Sequence, residues 1–326
     1  MINIMIPEKC PLKFEKRPET NAMQSLMSTE FSTDIEGADI VLAGIPFDLA
    51  VTNRSGTRMG PKYMRNTHFW RGVTCDPDLD IRIDNALKIV DCGDFELQMG
   101  YLPDGFEKIT QQTKRILDAG AVPVIVGGDH SISFPELKAY YLTYGPMELI
   151  HFDSHLDTSP NSHPTKQIYT HGSPFSNAIR EGYIDGNHVI QLGIRGGFRN
   201  RDEQAEYSKK TGREFILARD LHYMSYDEIG EVIRKKVGNM PVFVTFDIDF
   251  LDPAYAPGTG TPVVGGFSVH DAIMMLEAAL PGLDVKGADL VEVMPYYDYG
   301  EVTLNSAQTI LQKMVTLIAQ NLIIKK

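Results

Sequence analysis

The chain has 326 residues, 43% of them hydrophobic, and a formal net charge of −12, which suits one sizeable α/β domain or two smaller ones and speaks against disorder or a fibre. The acidic balance disfavours nucleic acid as a partner and would draw small cations towards a cleft. Cys10, Cys75 and Cys92 show no CxxC spacing and are odd in number, so they suggest neither a disulfide framework nor a zinc–thiolate site, and read as reduced thiols.

In chain order, the start from Met1 to Pro7 lacks the basic residues and sustained apolar stretch of a signal peptide, and no segment reaches the length of a membrane span. A cytoplasmic protein without a membrane partner is expected. Residues 1–34 are the least regular and are expected to form an N-terminal arm, packed on the domain or on a neighbouring subunit, ahead of a single domain over 35–326. Apolar runs rich in β-branched residues recur at 40–45, 89–90, 122–126, 149–152, 189–194, 215–217, 242–246 and 288–293. Between them lie amphipathic stretches of helical length at 106–119, 134–144, 226–237 and 272–280, with a closing helix over 306–323. This alternation predicts a parallel sheet of about eight strands, covered on both faces. An open doubly wound sheet and a closed (β/α)₈ barrel both satisfy it, and both place a site at the C-terminal strand ends.

The side chains with chemical potential gather at those ends. Asp153, His155 and Asp157 occupy every second position and share a face if the segment is extended. Gly127-Gly128-Asp129-His130-Ser131 closes one apolar run, and Asp247-Ile248-Asp249 closes another. Taken singly, the glycine turn reads equally as a strand-to-helix bend or a weak phosphate loop, and Asp-x-Asp as a helix cap or a single Mg²⁺ ligand pair. Together they are best explained by metal, because buried carboxylates and imidazoles persist only when paired or coordinated. Two His and four Asp exceed the needs of one four-coordinate ion and suit two bridged ions; an oxygen-rich, thiolate-free set favours Mn²⁺, with Ni²⁺, Co²⁺ or Fe²⁺ as alternatives. Such a pair lowers the pKa of bound water towards neutrality, so hydrolysis is the expected reaction class. His151, inside the apolar run, reads as a core or supporting residue rather than a ligand.

These residues resemble the ureohydrolase family, the arginase and agmatinase group. The resemblance rests on Gly-Gly-Asp-His-Ser at 127–131, Asp-x-His-x-Asp at 153–157, and Asp-x-Asp-x-x-Asp-Pro at 247–253 followed by Pro257-Gly258-Thr259-Gly260-Thr261-Pro262. More distant matches are Gly44-Ile45-Pro46-Phe47-Asp48, Asn53-Arg54, Gly60-Pro61, Gly193-Ile194-Arg195-Gly196 and Val291-Glu292-Val293, so that it covers the chain from about residue 38 onward. It implies an open three-layer α/β/α domain with a mainly parallel eight-stranded sheet. By family pattern His130 and Asp157 would bind one ion, His155 and Asp249 the other, and Asp153 and Asp247 would bridge them. Glu292 would accept hydrogen bonds from the substrate guanidinium, Asp157 would orient the attacking water, and His171 would protonate the leaving amine. The products would be urea and an amine. The family also implies a homo-oligomer, trimer or hexamer, with a hetero-oligomer as the alternative.

The departures concern the substrate. Ser154 and Leu156 stand where the family usually carries Ala and a small polar residue, and strand alternation would turn both away from the ligands. The 158–170 loop, with Asn161, His163, Lys166 and Tyr169, shows no arginase pattern for an α-amino acid, which disfavours arginine. Met294, Tyr296 and Tyr297 would make a bulkier, more apolar wall, which could suit a substrate other than agmatine. On overall resemblance agmatine is the first expectation among small guanidino substrates. Guanidinobutyrate or guanidinopropionate would need a cation from Lys166 or from an Arg between 195 and 201, and guanidine or a biguanide such as metformin stands further off. Two other classes are weaker: a non-catalytic subunit of a hetero-oligomer would be expected to have lost ligands that this chain keeps, and a nucleotide-binding module lacks the GxGxxG or GxxxxGK[ST] context.

Overall fold

The β-branched runs become strands of one open sheet in the computed structural model, which describes residues 25–67, 83, 86–97, 100–158, 169–197 and 201–325. The strands are β1 (Glu30–Phe31), β2 (Ile40–Gly44), β3 (Ile89–Asp94), β4 (Val122–Val126), β5 (Met147–Phe152), β6 (Ile184–Ile194), β7 (Glu214–Leu217), β8 (Val242–Asp247) and β9 (Val285–Val291). Their order is β1-β3-β2-β4-β9-β8-β5-β6-β7, and each neighbouring pair is parallel. The sheet has two edges, so the barrel alternative falls. Among the described residues it has nine strands instead of the eight expected, because Glu30 and Phe31, too short to register as an apolar run, pair with Val90 and Asp91 of β3. These two residues belong to the expected arm, whose first 24 residues lie outside the described residues.

The helices are α1 (Gly60–Asn66), α2 (Leu102–Asp118), α3 (Ser133–Tyr144), α4 (Pro174–Arg180), α5 (Arg201–Thr211), α6 (Ala218–Leu221), α7 (Tyr226–Val237), α8 (Val269–Ala279) and α9 (Val302–Lys325). Strand residues alternate between two apolar layers, as the period of two requires when both faces are covered. Ile40 and Leu42 pack in the layer of α7, α8 and α9, and Val41 and Ala43 in the layer of α2, α3 and α4. Reciprocal capping boxes, Ser225 with Glu228 and Ser268 with Asp271, start α7 and α8. Among the described residues no helix is long and apolar enough to cross a membrane. Cys92 on β3 is half-buried, its thiol pushed up to about 11 by burial and by Asp91; Cys10 and Cys75 lie outside the described residues. Because all strands run the same way, β4, β9, β8 and β5, adjacent at the centre, deliver their C-terminal ends to one rim.

Candidate metal centre and active site

The first candidate ligand is presented by a turn that only glycine permits. A Cβ on Gly128 would lie 1.6 Å from the Phe47 carbonyl oxygen, so the chain leaving β4 can pass Phe47 only without a side chain there. Asp129 then caps the following turn by accepting from Ser131 N at 2.9 Å and ties down Ala50 N at 2.9 Å, which leaves it in a structural role. His130 is thereby held, fully buried, over the rim. Its Nδ1 lies 3.0 Å from Asp157 Oδ2, 3.2 Å from Asp153 Oδ2 and 3.3 Å from Asp247 Oδ2.

A second cluster adjoins the first. His155 Nδ1 lies 3.1 Å from Asp249 Oδ2 and 3.4 Å from Asp153 Oδ1, so Asp153 faces both histidines, one with each oxygen. Asp247 also belongs to both sides, since its Oδ1 accepts from Asp249 N at 2.8 Å. The structure thus brings together His130, Asp153, His155, Asp157, Asp247 and Asp249. It does so by a different route from the expected extended face: β5 ends at Phe152, and Asp157 adopts a left-handed backbone with φ 46° that turns its carboxylate back towards His130. The expectation that Ser154 points away from the ligands is also corrected. With the strand already ended, its amide and hydroxyl both reach Asp249 Oδ1, at 3.0 and 2.7 Å, and its hydroxyl lies 3.0 Å from His155 Nδ1.

The polar atoms of the cluster fit a cation. His130 Nδ1, Asp249 Oδ2 and Glu292 Oε2 are buried without hydrogen-bond partners, and imidazole nitrogen with carboxylate oxygen is a donor set suited to divalent transition metals. The electrostatics agree. Burial opposes ionisation of Asp153, yet His151, His130 and His155 hold it well below the usual carboxylate range, whereas Asp247, buried beside Asp249 and Asp153, is pushed well above it. His155 resists burial and is carried to about 12 by Asp249 and Asp153. These carboxylates compete for more positive charge than two imidazoles supply, the condition that a divalent ion relieves.

Glu292, one residue past β9 and left-handed at φ 63°, accepts His130 N at 2.9 Å and meets His171 Nδ1 at 3.0 Å through Oε1. Its Oε2 is left buried and unpaired. Burial lowers the basicity of His171, but Glu292 outweighs it and lifts the imidazole to about 9. The far side of His171 rests on Thr52, whose backbone N and hydroxyl oxygen lie 3.1 and 2.7 Å from Nε2. Thr52 escaped the sequence reading, although it adjoins the Asn53-Arg54 pair that carried part of the resemblance.

Of the candidate substrate residues, Asn161, His163 and Lys166 lie outside the described residues, as does Arg199. Tyr169 packs against Phe106 and Phe134, with ring centroids 5.5 Å from each, and so serves the core. Arg195 donates to the carbonyls of Asp249, Leu251 and Val263, which braces the strand end and occupies its guanidinium. Met294 is buried, while Tyr296 and Tyr297 are exposed and the Arg54 guanidinium stacks 4.6 Å over the Tyr297 ring.

The family model of the arginase family matches residues 38–316. The agmatinase of Proteus mirabilis is 40% identical over 285 residues, which is 86% of this chain and 88% of that relative. That of Neisseria meningitidis serogroup C is 40% identical over 283 residues, 86% of this chain and 87% of the relative. Among solved structures, a hypothetical agmatinase from Burkholderia thailandensis superposes with a TM-score of 0.80 at 33% identity, over 92% of both chains. The proclavaminate amidino hydrolase of Streptomyces clavuligerus gives 0.83 at 30% identity, over 92% of this chain and 98% of the other. With its rim of imidazoles and carboxylates on an open parallel sheet, the chain belongs to the arginase family.

Proposed function

We propose that the protein is an amidinohydrolase that cleaves the guanidino group of a small substrate to urea and an amine, with agmatine as that substrate. The observation that carries it is Glu292 Oε2, a buried carboxylate oxygen without a partner beside the His130 cluster. A guanidinium offers it a charge-assisted N–H donor in a fixed plane. His130 and Asp157 would hold one divalent ion, His155 and Asp249 a second, and Asp153 and Asp247 would bridge them. Mn²⁺ is the preferred metal and Ni²⁺ the alternative. When bound, the pair supplies Lewis acidity and makes water nucleophilic near neutral pH.

The chain's own residues do the rest. Asp157 is the accessible carboxylate of the first cluster, 11% exposed at the side chain where Asp153 is sealed, and it takes the hydrogen bond of the attacking water. Glu292 holds the guanidinium in place and stabilises its positive charge until attack. His171, donating from Nδ1 to Glu292 Oε1, is placed to deliver a proton to the departing amine. The agmatine assignment draws on the agmatinases at 40% identity and on Arg195, which its carbonyl bonds keep from meeting a substrate carboxylate. A second reading, an ω-guanidino acid, is favoured by Arg54 stacked on Tyr297. A cytoplasmic homo-oligomer, trimer or hexamer, completes the proposal.

The test is urea release by protein loaded with Mn²⁺ or with Ni²⁺, across agmatine, arginine, guanidinobutyrate, guanidinopropionate, guanidine and metformin. Agmatine should be preferred, and Glu292→Gln should keep its metal while kcat/KM falls about 100-fold or more. Two bound ions without urea from any of these compounds would overturn the assignment. An unchanged kcat/KM in Glu292→Gln would remove the guanidinium contact.

A further inference from the structure

Four adjacent strands each contribute one polar residue to a single row behind the proposed metal ligands. In the strand register Gln191 of β6 pairs with His151 of β5, His151 with Thr245 of β8, and Thr245 with Asp289 of β9. All four side chains are fully buried. They lie on the face covered by α3 and α4, where the Phe175 ring sits 4.6 Å from that of His151 and Ser133 Oγ donates to Asp289 Oδ2 at 2.6 Å. Adjacent polar residues inside an apolar sheet are costly unless hydrogen-bonded, and here the bonds lead to the ligands.

The direction of the bonds from Gln191 to Asp153 follows from one residue. Arg213, fully buried just before β7, has donors and no acceptor, so its Nη1 contact with Gln191 at 2.6 Å must be made to Oε1. The Gln191 amide nitrogen therefore faces the other way and donates to His151 Nδ1 at 2.8 Å and to the Leu156 carbonyl. With Nδ1 accepting, neutral His151 carries its proton on Nε2 and donates to Asp153 Oδ2 at 2.7 Å. At the other end Asp289 Oδ2 accepts from Ser133 at 2.6 Å, while its Oδ1 is buried without a hydrogen-bond partner on the strand position paired with Thr245 and offers the Thr245 hydroxyl proton an acceptor. With the proton turned that way, the Thr245 oxygen accepts from His130 Nε2 at 2.8 Å. His130 is left with its Nδ1 lone pair facing Asp153, Asp157 and Asp247. Both ring nitrogens of His151 are occupied, so it supports the ligands although it lies within ligand reach of His130 and Asp153.

We propose that the row Gln191, His151, Thr245 and Asp289, anchored by Arg213, sets the tautomer of His130 and the orientation of Asp153, and that Gln191, Thr245 and Arg213 are positioning residues of the metal centre. The proposal rests on the metal-centre reading above. Supports of this kind typically govern metal affinity by about 10- to 100-fold.

The test is the Mn²⁺ dissociation constant of the full-length protein, measured by equilibrium dialysis, alongside the melting temperature of each metal-free variant. Thr245→Val keeps the shape and removes the hydroxyl, and should weaken Mn²⁺ binding about 10- to 100-fold with little change in the metal-free melting temperature; Thr245→Ser should restore it. Gln191→Met should weaken binding in the same way, and it decides the matter if Thr245→Val does not fold. Folded Thr245→Val and Gln191→Met that bind Mn²⁺ like the wild type would overturn the proposal and leave the metal centre standing. A wild-type protein that binds neither Mn²⁺ nor Ni²⁺ would overturn the metal-centre reading, and this proposal with it.

Discussion

Asp157 and Glu292 combine candidate chemistry with a left-handed backbone, at φ 46° and 63°, a conformation that costs a residue other than glycine about 1–3 kcal/mol. The strain aims both carboxylates at the space in front of His130. Asp157→Gly would relieve it and also take one carboxylate out of a crowded anionic cluster. Metal-free Asp157→Gly should melt about 2 °C or more above metal-free wild type while urea release is lost; a lower melting temperature would show that the Asp157 conformation is not strained. His171 allows a pH test in the same metal-free protein. Its folded-state pKa of about 9 lies above the ordinary histidine value, so the His171–Glu292 pair stabilises fully below about pH 6.5 and loses that contribution as pH rises through about 9. The gap in melting temperature between wild type and His171→Asn should therefore narrow between about pH 7 and pH 10. A gap that is flat across this range would mean that Glu292 does not raise His171.

The element that positions His130, the first proposed ligand, is the turn from β4 into α3, and its tolerance is narrow. A methyl group on Gly128 would meet Phe47 backbone atoms at 1.6, 2.6 and 2.7 Å, and backbone cannot swing aside as a flexible side chain can. Gly128→Ala should destabilise by about 1–3 kcal/mol and cost metal content, because His130 lies two residues further on. Wild-type melting and metal content would show that the turn relaxes freely. This turn was legible beforehand because Gly127-Gly128-Asp129-His130 is contiguous, as are the motifs at 153–157 and 247–249. The strands from β2 to β9 were legible for the same reason, each carrying its own apolar run. The supporting row was not. Gln191, His151, Thr245 and Asp289 each interrupt an apolar run once, and only the register of four strands makes them neighbours. Ser154 was misjudged because the pattern treated 153–157 as extended, whereas β5 ends at Phe152. Helix α4 was missed because seven residues beginning with proline carry too little periodicity to stand out.

At the scale of the molecule, the strand order makes the site a product of complete folding. Strand β9, from the last fifth of the chain, inserts between β4 and β8, so that His130 and Glu292, 162 residues apart in sequence, share a hydrogen bond. The rim where β4, β9, β8 and β5 end is therefore the place where the centre of the sheet is closed and where its buried carboxylates repel one another. Cations held there would stabilise the junction of both halves of the sheet, and their removal should be felt as global stability as well as lost activity. An ion present at 100 times its dissociation constant, bound by the folded chain alone, stabilises it by about 2.7 kcal/mol, which for a domain of this size corresponds to about 4 °C or more in melting temperature. Chelation should lower the melting temperature by at least that amount, and Mn²⁺ added in increasing excess should raise it again with a logarithmic dependence on concentration. Asp247→Ala, which removes a carboxylate shared by both clusters, should melt at the same temperature with and without Mn²⁺. If instead chelation leaves the wild-type melting temperature untouched, the rim closes on protons rather than on cations, and the metal assignment fails at the level of the whole fold.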